Sequence, residues 1–242
     1  MDAAGRIEVL ADPPALATRV AEWMTEAALA GPAPFRICLS GGSTPKRLYA
    51  LLGSPPFVER FPWAKAAWFW GDERFVPYDD PASNYRMARE AMLAKAPVSS
   101  ASIHPMPTDG EPDAAARGYE RTLKDAYGAE ALDPARPLFE IMLLGLGPDG
   151  HTASLLPGDP VLGERSRWVA AVAHGRPEVR ITLTYPAIES SRRVAFLVEG
   201  AQKAAILAAV RGGASDVPAA RLRPAGEITW FVDAAAAGQG TG

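Results

Sequence analysis

The feature that most constrains this chain is the run Phe139-Glu140-Ile141-Met142-Leu143-Leu144-Gly145, which passes directly into a long glycine-rich segment. After Glu140 the run shows no polar alternation, the pattern of a central strand covered on both faces. Covering both faces requires helices above and below. Apolar runs at 7–10, 35–39, 67–70, 138–144, 168–172, 193–198 and 228–232 alternate with helical patterns at 45–52, 84–95, 112–127 and 202–211. A further helix follows Pro13-Pro14, where Leu16, Val20, Trp23 and Ala27 recur at helical spacing. The alternation predicts an α/β fold, a single-domain doubly wound and mostly parallel sheet with helices on both faces. No linker or fixed-period repeat divides it, so 1–233 reads as one domain and the small, glycine-rich 234–242 as a disordered tail.

Composition narrows the function. A net charge of -3 argues against a nucleic-acid partner, which needs a basic surface. No segment has the length of a membrane span, and the start of the chain lacks the apolar stretch of a signal peptide, so a cytoplasmic location is expected. The single cysteine, Cys38, lies in an apolar run and reads as a buried hydrophobe. The three histidines and that cysteine have no ligand-like spacing, so neither a metal nor another cofactor is expected. The sequence sets no oligomeric state.

In a parallel α/β sheet the site lies beyond the carboxyl ends of the strands, so the residues after each apolar run matter most. Ser40, Gly41, Gly42 and Ser43 follow the run ending at Leu39 and precede a helix, with Ser43 or Thr44 as its cap and Pro45 in its first position. Open amides and hydroxyls there make an anion site; a plain strand-to-helix turn is the alternative. Gly71-Asp72-Glu73-Arg74 follows an aromatic run. Adjacent acids point in different directions and do not pair, while Arg74 can hold an anion or an oxyanion, or else pin the loop through an ion pair with Glu73. The strongest signal is Gly147-Pro148-Asp149-Gly150-His151-Thr152. His151 lacks apolar neighbours and suits a general base near neutral pH, with Asp149 placed to orient it. His104 and His174 read as structural or surface residues. Arg180 and Lys203 stand at element starts, which raises them above the other basic residues.

The segments LSGGSTPKRLY, WFWGDERFVP with SNYRMA, LLGLGPDGHTASLLPG, RITLTYPAI and VEGAQKA occur in this order over 39–204. Together they resemble the 6-phosphogluconolactonase family, which shares a superfamily with glucosamine-6-phosphate deaminases. The resemblance implies hydrolysis of a small phosphorylated sugar lactone in the pentose phosphate pathway. His151 is then the general base, Arg74 a substrate-pocket residue, and the Ser40–Ser43 loop with Arg180 and Lys203 the phosphate site. Leu156 and Glu189 depart from the family pattern, where phenylalanine and asparagine are common. Deaminases carry an acid after their Asp-Gly-His motif; here Ala153-Ser154-Leu155-Leu156-Pro157-Gly158 has none. A non-catalytic sugar-phosphate sensor is the remaining alternative, disfavoured because His151, Asp149 and Arg74 are all present.

Overall fold

The apolar runs become strands wherever they meet one another in parallel register. The computed structural model describes residues 5–173, 178–213 and 216–239, so His174 lies outside the described residues. In chain order the strands are β1 (Arg6–Leu10), β2 (Phe35–Leu39), β3 (Ala66–Trp70), β4 (Asp72–Arg74), β5 (Ile141–Gly145), β6 (Val169–Val172), β7 (Arg180–Leu183), β8 (Arg193–Val198) and β9 (Glu227–Asp233). The helices are α1 (Pro13–Ala30), α2 (Ser43–Leu52), α3 (Phe57–Arg60), α4 (Asn84–Ala88), α5 (Pro112–Tyr127), α6 (Tyr185–Glu189) and α7 (Ala204–Arg211).

Six strands form one all-parallel sheet in the order β1-β9-β8-β5-β2-β3. β3 is buried along its whole length, as are the apolar residues of β5, so the central run is covered on both faces as its composition requires. Phe196 of β8 and Trp230 of β9 stack at 3.9 Å between ring centres. α1 and α2 pack together and against β9 and β8, so helices flank the sheet. Asp12 starts α1 by accepting from the Ala15 amide at 2.8 Å, and Leu16, Val20 and Met24 form its buried stripe.

The chain winds outward from β2 to β3 in one direction and from β5 through β8 to β9 in the other. The reversal between β2 and β5 opens a crevice at their carboxyl ends. A second, antiparallel sheet of order β4-β7-β6 stands beyond that end, with α5 packed on β6 and β7. The run at 168–172 therefore belongs to this small sheet rather than to the parallel one. β4 was not expected, because Asp72-Glu73-Arg74 offers no apolar period; it exists only through pairing with β7.

Residues 234–239, expected to lie in a disordered tail, are among the described residues. Residues 234–239 continue as turns, Ala236 is buried, and its amide donates to Asp233 Oδ1 at 2.7 Å. The same carboxylate accepts from the Gly200 amide at 3.0 Å, so this turn also braces the loop after β8. Residues 240–242 lie outside the described residues.

Candidate active site

The loops after β2, β3, β5 and β8 enclose a cleft of roughly 310 Å³ at the reversal point. The loop after β2 is fixed from behind. Tyr49, buried on α2, accepts from the Ser40 amide at 2.9 Å and donates to the Ser40 carbonyl at 2.8 Å. Gly41 is required by contact, since a Cβ there would lie 2.0 Å from Asn84 Oδ1. Gly42 turns the chain with φ of 106° and is itself the helix cap, so α2 begins at Ser43, two residues before Pro45. The expected capping by Ser43 or Thr44 is thus corrected: no side chain caps this helix. As first-turn residues, Ser43 and Thr44 have no intrahelical carbonyl to donate to, and both line the cleft.

The loop after β5 presents His151. The Gly147 amide donates to the His151 carbonyl at 2.8 Å and the Gly150 amide to the Gly147 carbonyl at 3.0 Å, closing a tight turn. Within it the imidazole Nδ1 meets Asp149 Oδ1, and the His151 amide also donates to that oxygen at 3.2 Å. Burial pushes the Asp149 carboxyl up, but the hydrogen bonds and charge of His151 outweigh it and hold the group below the usual carboxylate range. A carboxylate has no proton to give, so Nδ1 is the donor and the lone pair of the neutral ring sits on Nε2. Gly147 makes room for this pair. A Cβ at that position would lie 2.0 Å from His151 Nδ1 and 2.7 Å from Asp149 Oδ1.

The segment after β3 splits its two acids as strand alternation dictates. Glu73 turns inward and accepts from the amides of Arg74 (2.8 Å), Asn84 (2.7 Å) and Tyr85 (2.7 Å) and from Ser83 Oγ (3.1 Å). It is a buried anchor for the start of α4; burial pushes its carboxyl up against the pull of those amides. Replacing Glu73 with alanine orphans these donors and is expected to cost about 2–3 kcal/mol, read as a lower midpoint in chemical denaturation. An unchanged midpoint would refute the anchor. Asp72 turns the other way, lining the cleft, where Ser154 Oγ donates to it at 2.6 Å and Asn84 Nδ2 at 3.5 Å.

Arg74 does not pair with the Glu73 side chain. Its Nη1 donates to the Ala82 carbonyl, while its buried Nε has no hydrogen-bond partner among the described residues. The register of β4 on β7 sets Arg74 directly opposite Arg180, and both line the cleft. Glu178 lies 3.8 Å from Arg180 Nη2. Lys203, at the turn before α7, lines the opposite wall; burial pushes its amine down, partly opposed by the charge of Asp149.

The cleft thus brings together Ser40, Gly41, Gly42, Ser43, Arg74, His151, Arg180 and Lys203, with Asp149 behind the imidazole rather than in the wall. Asp72, Asn84, Glu199 and Gln202 also line it and were not foreseen. Asn84 in SNYRMA and Gln202 in VEGAQKA lay inside the segments that carried the resemblance, which was the available signal. Among the described residues no cluster of three or more His, Cys, Asp or Glu is placed to hold a metal ion.

This fold is that of a known family. A model of glucosamine-6-phosphate isomerases/6-phosphogluconolactonase matches residues 11–230, and the chain belongs to that family. It is 43% identical over 201 residues to a 6-phosphogluconolactonase from Synechocystis, covering 81% of each chain. It is 41% identical over 220 residues to one from Mycobacterium bovis, covering 87% of each. The 6-phosphogluconolactonase from Trypanosoma cruzi superposes with a TM-score of 0.86 at 29% identity, over 100% of this chain and 99% of the other. A monomeric glucosamine-6-phosphate deaminase superposes at 0.79 with 20% identity, over 97% of this chain and 100% of the other, so the fold alone does not separate the two activities.

Proposed function

We propose that the chain hydrolyses 6-phospho-D-glucono-1,5-lactone to 6-phosphogluconate, the reaction of the pentose phosphate pathway for which its lactonase relatives are named. One observation carries the reading: an imidazole whose Nδ1 is committed to Asp149 shares a cleft with three cations and the Gly41–Ser43 turn at the start of α2. The phosphate docks on the amides of that turn, Arg180 and Lys203, and its binding energy orients the ring. Nε2 of His151 takes a proton from water as that water attacks the lactone carbonyl. Arg74 stabilises the tetrahedral oxyanion. As the intermediate collapses, the ring C–O bond breaks and the imidazolium returns the proton to the departing oxygen. Base, water and fixed cations supply every charge the reaction needs, so the reading invokes no metal or cofactor.

A covalent route through serine is disfavoured. Ser154 is fully buried and its hydroxyl is committed to Asp72, while no hydrogen bond joins Ser43 to His151. The test is a proton-release assay on freshly generated phosphorylated lactone, with the spontaneous rate subtracted, beside glucosamine-6-phosphate and the unphosphorylated lactone. Fast turnover of the phosphorylated lactone alone is expected. Ammonia from glucosamine-6-phosphate without lactone turnover would install the deaminase reading, and binding without turnover the sensor.

Lys203 gives the site a signature in pH. Its lowered pKa means that the ammonium is lost earlier than from an ordinary lysine as pH rises. Affinity for the phosphorylated lactone should therefore weaken on the alkaline side, seen as a rising KM with steady kcat. Lys203→Arg, which cannot deprotonate there, should flatten that limb. An identical alkaline limb in both proteins would remove Lys203 from the phosphate site.

No helix among the described residues is long and apolar enough to cross a membrane. A relative from Arabidopsis thaliana is named chloroplastic, so family membership does not fix a compartment; for this chain a cytoplasmic location is part of the proposal.

A further inference from the structure

The loop carrying His151 is held by a turn that does not itself line the cleft. Gly150, between Asp149 and His151, accepts at its carbonyl from the Ala219 amide at 3.0 Å. Its Cα lies so close to Val217 that a Cβ would fall 2.4 Å from a Val217 methyl. The turn formed by Val217 and Pro218–Arg221 is tied down in its own right. Tyr185, buried on α6, donates its hydroxyl to the Pro218 carbonyl at 2.9 Å. Arg221 closes the turn with two bonds to the Asp216 carboxylate, at 2.8 and 2.7 Å. A continuous set of contacts therefore runs from α6, which follows directly on β7, through this turn to Gly150, the one residue between Asp149 and His151.

We propose that Val217 is a positioning residue for the reaction: by seating Gly150 it fixes Asp149 and His151 relative to each other and to the bound lactone. The inference rests on His151 acting as the base. A general base must stand within hydrogen-bond reach of its proton, and a misplacement of about 1 Å costs on the order of 10²-fold. Among the described residues Val217 does not line the cleft that holds the amides and cations assigned to the phosphate, so its effect belongs in kcat and not in KM.

The experiment compares Val217→Gly, Val217→Thr and Asp216→Ala with the parent by steady-state kinetics and low-field proton NMR of the Nδ1 hydrogen shared with Asp149. Val217→Gly opens the seat and should lower kcat about 10-fold or more at near-constant KM, with the shared-proton signal broadened or lost. Val217→Thr keeps the branched shape and should restore both. Asp216→Ala loosens the turn from its exposed side and should act in the same direction, more weakly. Parent-like kcat and an intact signal in Val217→Gly would overturn the proposal. So would a loss shared between kcat and KM with the signal retained, the mark of general destabilisation. His151→Ala separates the two readings: if it keeps its activity the base assignment fails, whereas if it loses activity while Val217→Gly does not, only the role of Val217 falls.

Discussion

His151→Ala should lose about 10²–10⁴-fold in kcat while KM for the phosphorylated lactone stays near its parent value, the range a positioned general base supplies. The expectation follows from the separation of tasks in the cleft. Phosphate affinity is assigned to the Gly41–Ser43 amides, Arg180 and Lys203, and the proton transfer to the imidazole. Asp149→Asn should fall in the same direction, because an amide that donates to Nδ1 leaves the proton on Nε2, the wrong tautomer for a base. Stopped-flow proton release with the uncatalysed rate subtracted measures both. Near-full activity of His151→Ala at neutral pH would transfer the base role elsewhere, and Asp72 and Glu199, the carboxylates in the wall, would be the next residues to test.

A single methyl group at position 147 should be almost as damaging. In Gly147→Ala the new carbon would fall 2.0 Å from His151 Nδ1 and 2.7 Å from Asp149 Oδ1, far inside contact distance. The obstacle is the ring that carries the chemistry, so the ring has to leave its bond with Asp149. The expected loss of kcat approaches that of His151→Ala, on the order of 10²-fold or more, in a protein whose unfolding midpoint changes little, since Gly147 lines the open cleft. Parent-like kcat would mean that the imidazole does not work from the position against Gly147. A collapse of stability would show instead that the loop cannot absorb the displacement.

What the sequence disclosed, it disclosed through the parallel sheet. A strand buried on both faces is apolar throughout, so β2, β3, β5 and β8 announced themselves and the site rule pointed at the residues following them. That logic located Ser40, His151 and Lys203 without any contact being known. It also separated Asp72 from Glu73, because neighbours on an extended chain face opposite ways, but it did not say which acid turned inward. That choice depends on α4, whose first amides draw Glu73 in, and on Ser154, which receives Asp72 from another loop. The small antiparallel sheet was illegible for the same reason: β4 is three polar residues whose partner strand lies far along the chain. The ion pair weighed between Glu73 and Arg74 failed because each side chain found backbone partners instead. For residues 234–239, composition does not register that Asp233 binds the Ala236 amide.

The pairing of β4 with β7 has a cost that the chemistry hides. It places two permanent positive charges, Arg74 and Arg180, at directly opposed positions on neighbouring strands, where like charges repel. A chain under pressure for endurance alone would keep only one of them. This one carries both; Glu178, 3.8 Å from Arg180, offsets part of the repulsion, and on the proposed function the phosphate of the substrate would offset more. Because a ligand that binds only the native state stabilises it in proportion to the logarithm of its excess concentration, the molecule's lifetime becomes tied to the flux it serves. On the proposed function, saturating phosphorylated product should therefore raise the unfolding midpoint.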